Sequence, residues 1–164
     1  MSALTADALR LTPEAVRTGL RAADKADAID QAGRLLLELD AVEPGYLPAM
    51  HERERSVPTY IGEGVAIPHG TDAARALVRR TALAVLVFPD GVDWDGQDVR
   101  VVIGIAADGD SHMGVLSALA ATLSAPDRAA ALRAADDAAT VIALLRPDGD
   151  DDAPTPDDRV KETR

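Results

Sequence analysis

Two continuous apolar runs constrain the fold of this chain most strongly. Residues 81–88 and residues 99–107 are almost entirely apolar, and each run is followed at once by turn-forming residues, at 89–91 and at 108–110. Both runs have the length of a strand, and neither alternates apolar with polar residues, which is typical of strands covered on both faces. We therefore predict two central strands, each closed by a turn at these residues.

Helical periodicity lies on both sides of these runs. Asp24, with Asp27 three residues later, is a capping signal for a helix over residues 25–40. A second helix is predicted over residues 44–54. Pro48 requires that it begin later, near Leu47, or that it be kinked, because proline inside a helix removes a hydrogen bond. Three further helices are predicted, beginning at His112 and covering residues 126–134 and 138–145.

Shorter strands are expected at residues 8–11, 16–22 and 65–67. Alternation of helices with apolar strands is the α/β pattern, so we predict a mixed central β-sheet flanked by helices on both faces. The chain of 164 residues contains four aromatic residues, so a single domain with a mainly aliphatic core is expected. That domain should cover residues 1–146. Residues 147–164 hold seven acidic and three basic residues among Pro, Gly and Thr, and are predicted to be a disordered acidic tail.

Composition excludes several classes of function. The net charge of −11 and the scarcity of aromatic residues argue against nucleic-acid binding and favour a basic protein partner. The chain has no cysteine, which excludes disulfides and thiolate metal sites. It also has no apolar run of membrane-spanning length and no basic, apolar leader, so we expect a cytoplasmic protein that does not insert into the membrane.

The run from Gly62 to Gly70 (GEGVAIPHG) places one histidine, His69, after a short apolar strand and inside a turn between Pro68 and Gly70. The strand should fix the histidine, and the turn should expose it to solvent. An exposed imidazole that is mostly neutral above pH 7 is a usable nucleophile. The alternative is a turn histidine whose ring is satisfied by nearby backbone groups.

Residues 53–71 (RERSVPTYIGEGVAIPHGT) closely resemble the phosphorylation-site region of the enzyme IIA component of the mannitol/fructose class of bacterial phosphotransferase systems. A second block resembles the same family at residues 102–107 (VIGIAA), 111–113 (SHM) and 115–119 (VLSAL). The resemblance runs through about residues 4–146. Thr59 and Tyr60 are more similar to the mannitol branch than to the fructose or nitrogen-related branches.

This resemblance implies a phosphoryl carrier that uses no metal or nucleotide cofactor. His69 would accept phosphate on Nε2 from the histidine-containing phosphocarrier protein and pass it to a cysteine of a IIB component. Because the chain itself lacks cysteine, the IIB component and its membrane-embedded IIC partner would lie on other chains. His112 would be the main donor to the phosphoryl group, in the first turn of a helix capped by Asp110 or Ser111. Arg53 matches an arginine of the family motif and would contact phosphate or a docked partner.

Alternatives remain for each of these residues. His112 shares a helical stripe with Leu116 and Leu119, as a buried core histidine would, and Arg53 could pair with neighbouring glutamates. His51 is interpreted as incidental. A metal-dependent hydrolase using the three histidines is disfavoured, because they lack compact ligand spacing. A regulatory, nitrogen-related IIA-like protein, in which phosphorylation of His69 controls partner binding, is the second candidate function.

Overall fold

The computed structural model describes residues 11–107 and 112–145, and the side chains of residues 11–107 and 114–145. This part of the chain contains five strands, five α-helices and two short 3-10 helices. The 3-10 helices are Pro13–Ala15 and Asp72–Leu77. The strands are β1 (Val16–Arg17), β2 (Tyr60–Gly62), β3 (Val65–Ala66), β4 (Ala82–Trp94) and β5 (Gln97–Ala106). The helices are α1 (Lys25–Glu38), α2 (Tyr46–Ser56), α3 (His112–Leu123), α4 (Pro126–Arg133) and α5 (Ala138–Leu145).

The strands form a single mixed sheet in the order β1-β4-β5-β3-β2 within the described residues. β1 runs parallel to β4 and β3 runs parallel to β5, whereas the β4–β5 and β2–β3 pairs are antiparallel. The predicted mixed sheet is therefore confirmed. Its order places β3, the strand that leads to His69, directly beside β5.

Helices cover both faces of this sheet, as predicted. Because successive strand residues point to opposite faces, alternate residues of β4 enter two separate cores. Leu83, Val85 and Val87 pack with α3, α4 and α5, whereas Leu86 and Phe88 pack with α1 and α2. Both runs predicted as central strands are almost wholly buried, which explains why they are continuously apolar.

The turn predicted at residues 89–91 is wrong. β4 continues through these residues to Trp94, with a shift in its register against β5 between Val87 and Val92. The chain reverses instead at Asp95 and Gly96, whose positive φ angles of 54° and 93° suit a two-residue hairpin turn. The extension is favoured because it buries Val92 and Trp94, which are 4% and 0% exposed.

The first predicted helix is confirmed as α1, with slightly shorter bounds. The Asp24 side chain accepts a hydrogen bond from the backbone N–H of Asp27 at 2.9 Å, which caps the helix. The Asp27 carboxylate in turn accepts one from the Ala23 N–H at 2.9 Å. The helix ends at Glu38, just before Asp40 takes a φ of 58°.

Pro48 shifts the start of the second helix, as predicted. α2 begins at Tyr46, later than residue 44 and one residue before Leu47. Pro48 is then the third residue of the helix, where a backbone N–H has no intrahelical acceptor to lose. Proline is therefore tolerated there at little cost.

The remaining elements follow the predictions in part. The strand predicted at 16–22 shortens to Val16–Arg17, because the chain bends at Gly19, and Leu11 lies outside any strand. The other residues of the strand predicted at 8–11, the turn at 108–110 and the tail at 147–164 lie outside the described residues. The predicted third, fourth and fifth helices are confirmed as α3, α4 and α5. Within the described residues no helix has the length and apolar character needed to cross a bilayer.

Candidate functional site

The segment that carries His69 is held on both sides by backbone hydrogen bonds. On one side, the N–H of Ile67 donates to the carbonyl of Thr59 at 3.0 Å. On the other side, the N–H of Ile105 in β5 donates to the carbonyl of Pro68 at 3.0 Å, and His69 and Ile105 form a parallel β-bridge. The prediction that a short strand fixes the histidine is therefore confirmed.

The prediction that the turn exposes His69 is wrong, because this residue is only 5% exposed. Its Nδ1 lies 2.8 Å from the carbonyl oxygen of Ile67. A carbonyl oxygen can only accept a hydrogen bond, so Nδ1 carries the proton in this contact. In the neutral ring the lone pair then belongs to Nε2. His69 can therefore be both a turn histidine bonded to the backbone and a nucleophile. The contact that satisfies Nδ1 leaves Nε2 as the nucleophilic nitrogen.

Tyr46, at the start of α2, connects the histidine turn to the sheet. Its buried hydroxyl donates to the Ile105 carbonyl at 2.8 Å and accepts from the Gly70 N–H at 2.9 Å. Burial raises the pKa of Tyr46, against the opposing effects of the Gly70 hydrogen bond and the charge of Arg75. A Cβ at position 70 would lie 2.6 Å from the Tyr46 ring, so only glycine fits there. Tyr46 was not predicted as a site residue. The sequence offers one signal for it, which is that aromatic residues are rare in this chain and Tyr46 is one of four.

His69 lines a surface cavity of about 390 Å³. Its walls come from the end of α2, from β2, from the 3-10 helix Asp72–Leu77 and from α3. Two of the lining side chains are arginines and one is a carboxylate, so the described lining is net positive in a strongly acidic protein. The lining residues are Arg53, Pro58, Thr59, Tyr60, Ile61, Ile67, His69, Asp72, Arg75 and Leu116.

Arg53 lies in the last turn of α2 and lines this cavity, while its contact with phosphate or with a docked partner stays a prediction. Its Nη1 donates to the carbonyl of Val57 at 2.6 Å, which orients the guanidinium. Glu54, one of the glutamates considered as its partner, is buried and forms a different set of contacts.

Glu54 fixes the wall of the cavity that contains Thr59. The Thr59 N–H donates to Glu54 Oε1 at 3.2 Å, and the Thr59 hydroxyl donates to the same oxygen. The Trp94 Nε1–H donates to Glu54 Oε2 at 3.0 Å, and Lys25 Nζ lies 3.5 Å from that oxygen. These donors compensate the burial of a carboxylate that is 3% exposed. This network was not predicted from the sequence, because Lys25 and Trp94 are distant from Glu54 in the chain.

Lys25 supplies the positive charge of that network. Burial lowers the pKa of Lys25, but the hydrogen bond to Asp95 and the charges of Glu54 and Asp95 outweigh burial, so the pKa is raised above its ordinary value. Lys25 is therefore protonated at neutral pH. Its Nζ bridges Glu54 to Asp95, in the turn that follows β4.

The structure places the backbone of His112 at the first residue of α3, as predicted. The His112 side chain, and the proposed caps Asp110 and Ser111, lie outside the described residues. Leu116, four residues after His112 on the same helix, lines the cavity. α3 therefore borders the site, while the role of His112 stays a prediction.

His51 lies outside the lining of this cavity. Its Nε2 is 2.7 Å from Asp30 Oδ1, so it joins α2 to α1. This contact agrees with the interpretation of His51 as incidental to the site. Among the described residues, no group of three or more His, Asp or Glu side chains is arranged to hold a metal ion.

Comparison with known proteins gives the class to which this fold and site belong. Residues 10–147 match the family described as "Phosphoenolpyruvate-dependent sugar phosphotransferase system, EIIA 2", and the chain belongs to that family. A mannitol-specific phosphotransferase enzyme IIA component from Halalkalibacterium halodurans is 45% identical over 135 residues, which cover 82% of this chain and 93% of the relative.

Two solved structures from Escherichia coli agree with this assignment. The crystal structure of mannitol IIA superposes with a TM-score of 0.77 at 37% identity, over 82% of this chain and 98% of the other. A complex of mannitol IIA with phosphorylated mannitol IIB superposes with a TM-score of 0.77 at 36% identity, over 82% of this chain and 96% of the other. The resemblance noted in the sequence and the α/β fold predicted from the alternation of helices and strands are therefore confirmed.

Proposed function

We propose that this chain is the phosphoryl carrier of a mannitol-transporting phosphotransferase system, with His69 as the phosphoryl acceptor. One observation carries the proposal. His69 Nδ1 lies 2.8 Å from the Ile67 carbonyl oxygen, which keeps the proton on Nδ1, and the same histidine lines a cavity that also contains two arginines. The similarity to mannitol IIA proteins supports the choice of mannitol and disfavours the regulatory alternative.

The chemistry requires two displacements at phosphorus. In the first, Nε2 of His69 attacks the phosphoryl group of the phosphocarrier protein. A new N–P bond forms at His69 while the N–P bond of the donor histidine breaks. In the second, a cysteine thiolate of the IIB component attacks the same phosphorus, an S–P bond forms while the N–P bond at His69 breaks, and Nε2 recovers its lone pair. Nδ1–H keeps its hydrogen bond to Ile67 throughout, so the protein need not move a proton on this ring.

Positioning and charge supply the catalysis, because phosphoryl transfer needs little covalent help from the protein. A phosphoryl group on Nε2 brings about −1.5 to −2 charges into the cavity. We assign Arg53 and His112 as its donors, with the N–H groups in the first turn of α3 as additional anion ligands. Burial of His69 restricts access of water, which should slow hydrolysis of the phosphohistidine.

The proposed partners follow from charge and from the relatives. An acidic chain of net charge −11 suits a basic face on the histidine-containing phosphocarrier protein. The complex of a similar IIA with phosphorylated IIB supports a separate IIB acceptor for this chain. We propose that the cycle runs in the cytoplasm and that this chain meets the membrane-embedded IIC component only through IIB.

The test replaces His69 by alanine and measures incorporation of labelled phosphate. Purified chain is incubated with labelled phosphoenolpyruvate and the general components of the system, then with a mannitol IIB component. The His69→Ala variant should fold normally and take up no label, because it lacks the only proposed nucleophile. The His51→Ala variant is the matched control, since His51 lies outside the cavity, and it should be labelled like the wild type. Label on His69→Ala at the wild-type level would place the acceptor elsewhere.

A further inference from the structure

Arg75 is a cavity residue for which the proposed mechanism has no role. It lies on the 3-10 helix Asp72–Leu77, which begins two residues after Gly70, and its side chain is 35% exposed. Residues three apart are eclipsed on a 3-10 helix, and Arg75 Nη2 accordingly donates to Asp72 Oδ1 at 2.9 Å. The short helix thus places a second guanidinium at the cavity that contains His69.

The hydrogen bonding of Arg75 is incomplete in this structure. Its Nε is buried and has no hydrogen-bond partner among the described residues. A buried donor on a charged group that lacks a partner is unfavourable, and native proteins satisfy most such groups. Binding an additional hydrogen-bond acceptor would therefore lower the free energy of the Arg75 side chain.

The ion pair that holds Arg75 is weak enough to be exchanged. Asp72 is 90% exposed, and exposed ion pairs of this kind contribute little to stability. A phosphoryl group carries three strong acceptor oxygens and more negative charge than a carboxylate. Guanidinium groups also match the geometry of phosphoryl oxygens especially well.

Charge balance in the cavity also favours a second cation. Arg53, the other arginine of the lining, already has its Nη1 bonded to the Val57 carbonyl. A phosphoryl group of about −1.5 to −2 charges is not neutralised by one guanidinium. The positive charge of Arg75 also acts to lower the pKa of Tyr46, whose hydroxyl accepts a hydrogen bond from Gly70, the residue after His69.

We propose that Arg75 leaves Asp72 and binds the phosphoryl group once it is on His69, so that Arg53 and Arg75 hold it together. The inference rests on the proposed function, because it requires a phosphoryl group at His69. No bond to phosphorus is made or broken by Arg75. It lowers the free energy of the phosphorylated chain by donating N–H groups from Nε and from the guanidinium head.

The equilibrium of phosphoryl transfer tests this directly. Phosphorylated carrier protein and the chain are mixed at several ratios, and the equilibrium constant for transfer to His69 is measured from the two labelled species. Arg75→Gln should lower this constant by about tenfold to a hundredfold, the scale of one charge-assisted hydrogen bond. A merely structural role would lower the melting temperature of the chain without changing the constant.

Two further variants complete the experiment. Arg79→Gln is the matched control, because Arg79 is an exposed arginine paired with Asp40 and lies outside the cavity lining. It should leave the constant unchanged, and an equal fall in this variant would overturn the specific contact. Arg75→Lys retains the charge and should give an intermediate constant, whereas a value as low as that of Arg75→Gln would refute a role for the positive charge.

An unchanged constant in Arg75→Gln, with the wild type phosphorylated on His69, would overturn this inference alone. Failure of the wild type to take up label, or full labelling of His69→Ala, would instead overturn the proposed function. The two failures are therefore distinguishable.

Discussion

Replacing Tyr46 by phenylalanine is expected to destabilise the protein by about 2–4 kcal/mol, although the aromatic ring remains in place. The substitution removes one hydroxyl that joins two segments distant in sequence, at Gly70 and Ile105. Each lost hydrogen bond is worth about 0.5–1.5 kcal/mol, and a buried N–H left without an acceptor costs about 1–3 kcal/mol. Gly70 and Ile105 are both buried, so water cannot replace the hydroxyl without opening the site.

The assay is equilibrium denaturation in urea, followed by thermal unfolding. The described part of the chain has about 130 residues, for which the entropy of unfolding is about 0.27 kcal/mol/K. A loss of about 2–4 kcal/mol then corresponds to a fall of about 7–15 °C in Tm. Phosphoryl uptake should also slow, because the Gly70 N–H that adjoins His69 is no longer held.

Tyr60→Phe is the matched control for this prediction. The Tyr60 hydroxyl accepts from the Gly64 N–H at 3.3 Å and is only partly buried, so its loss should cost less than about 1 kcal/mol. A Tyr46→Phe variant within 0.5 kcal/mol of the wild type, or one no less stable than Tyr60→Phe, would refute the reasoning that this hydroxyl ties the histidine turn to the sheet.

Two further predictions concern parts of the chain outside the described side chains. His112→Ala should lower the rate of phosphoryl transfer by about 10² to 10³, the scale for loss of one donor to a developing oxyanion, with rates from the carrier and to IIB measured separately. Unchanged rates with a lower Tm would instead indicate a core histidine. Deleting residues 148–164 should leave Tm within about 1 °C of the wild-type value, because an Asp-rich segment is expected to bury little apolar area. The transfer rate should stay within a few-fold of the wild-type rate at 0.15 M salt, because the charge of the segment is screened beyond about 8 Å. A larger change in either quantity would show that the tail docks on the domain or on a partner.

Local signals predicted most of the elements. The cap formed by Asp24 and Asp27 acts within one turn, so the start of α1 could be read from the sequence. The buried runs of β4 and β5 could be read from their length and apolar content. The prediction failed at residues 89–91, where turn-forming residues lie inside β4. There, burial of Trp94 and its hydrogen bond to Glu54, 40 residues away, outweigh local turn preference.

The site was predicted only in part for the same reason. His69 and Arg53 stand in a recognisable sequence motif, and the structure places both at one cavity. Tyr46 and Arg75 lie outside this motif. Glu54 lies inside it, but its bond to Trp94 and the bonds of Tyr46 to Gly70 and Ile105 are set by packing and not by spacing along the chain. The exposure of His69 was predicted wrongly, since a turn sequence does not reveal which element packs over it.

The sequence by itself determined the helices, the two central strands and the histidine, because periodicity, capping and turn chemistry act over a few residues. The tertiary structure decided the burial of His69, the connection of Gly70 to Ile105 through Tyr46, and the pairing of two arginines at one cavity. Each of these depends on the sheet order that places β3 beside β5. Strand order is set by the need to bury both faces of the whole sheet at once, and no local stretch of sequence shows how that is achieved.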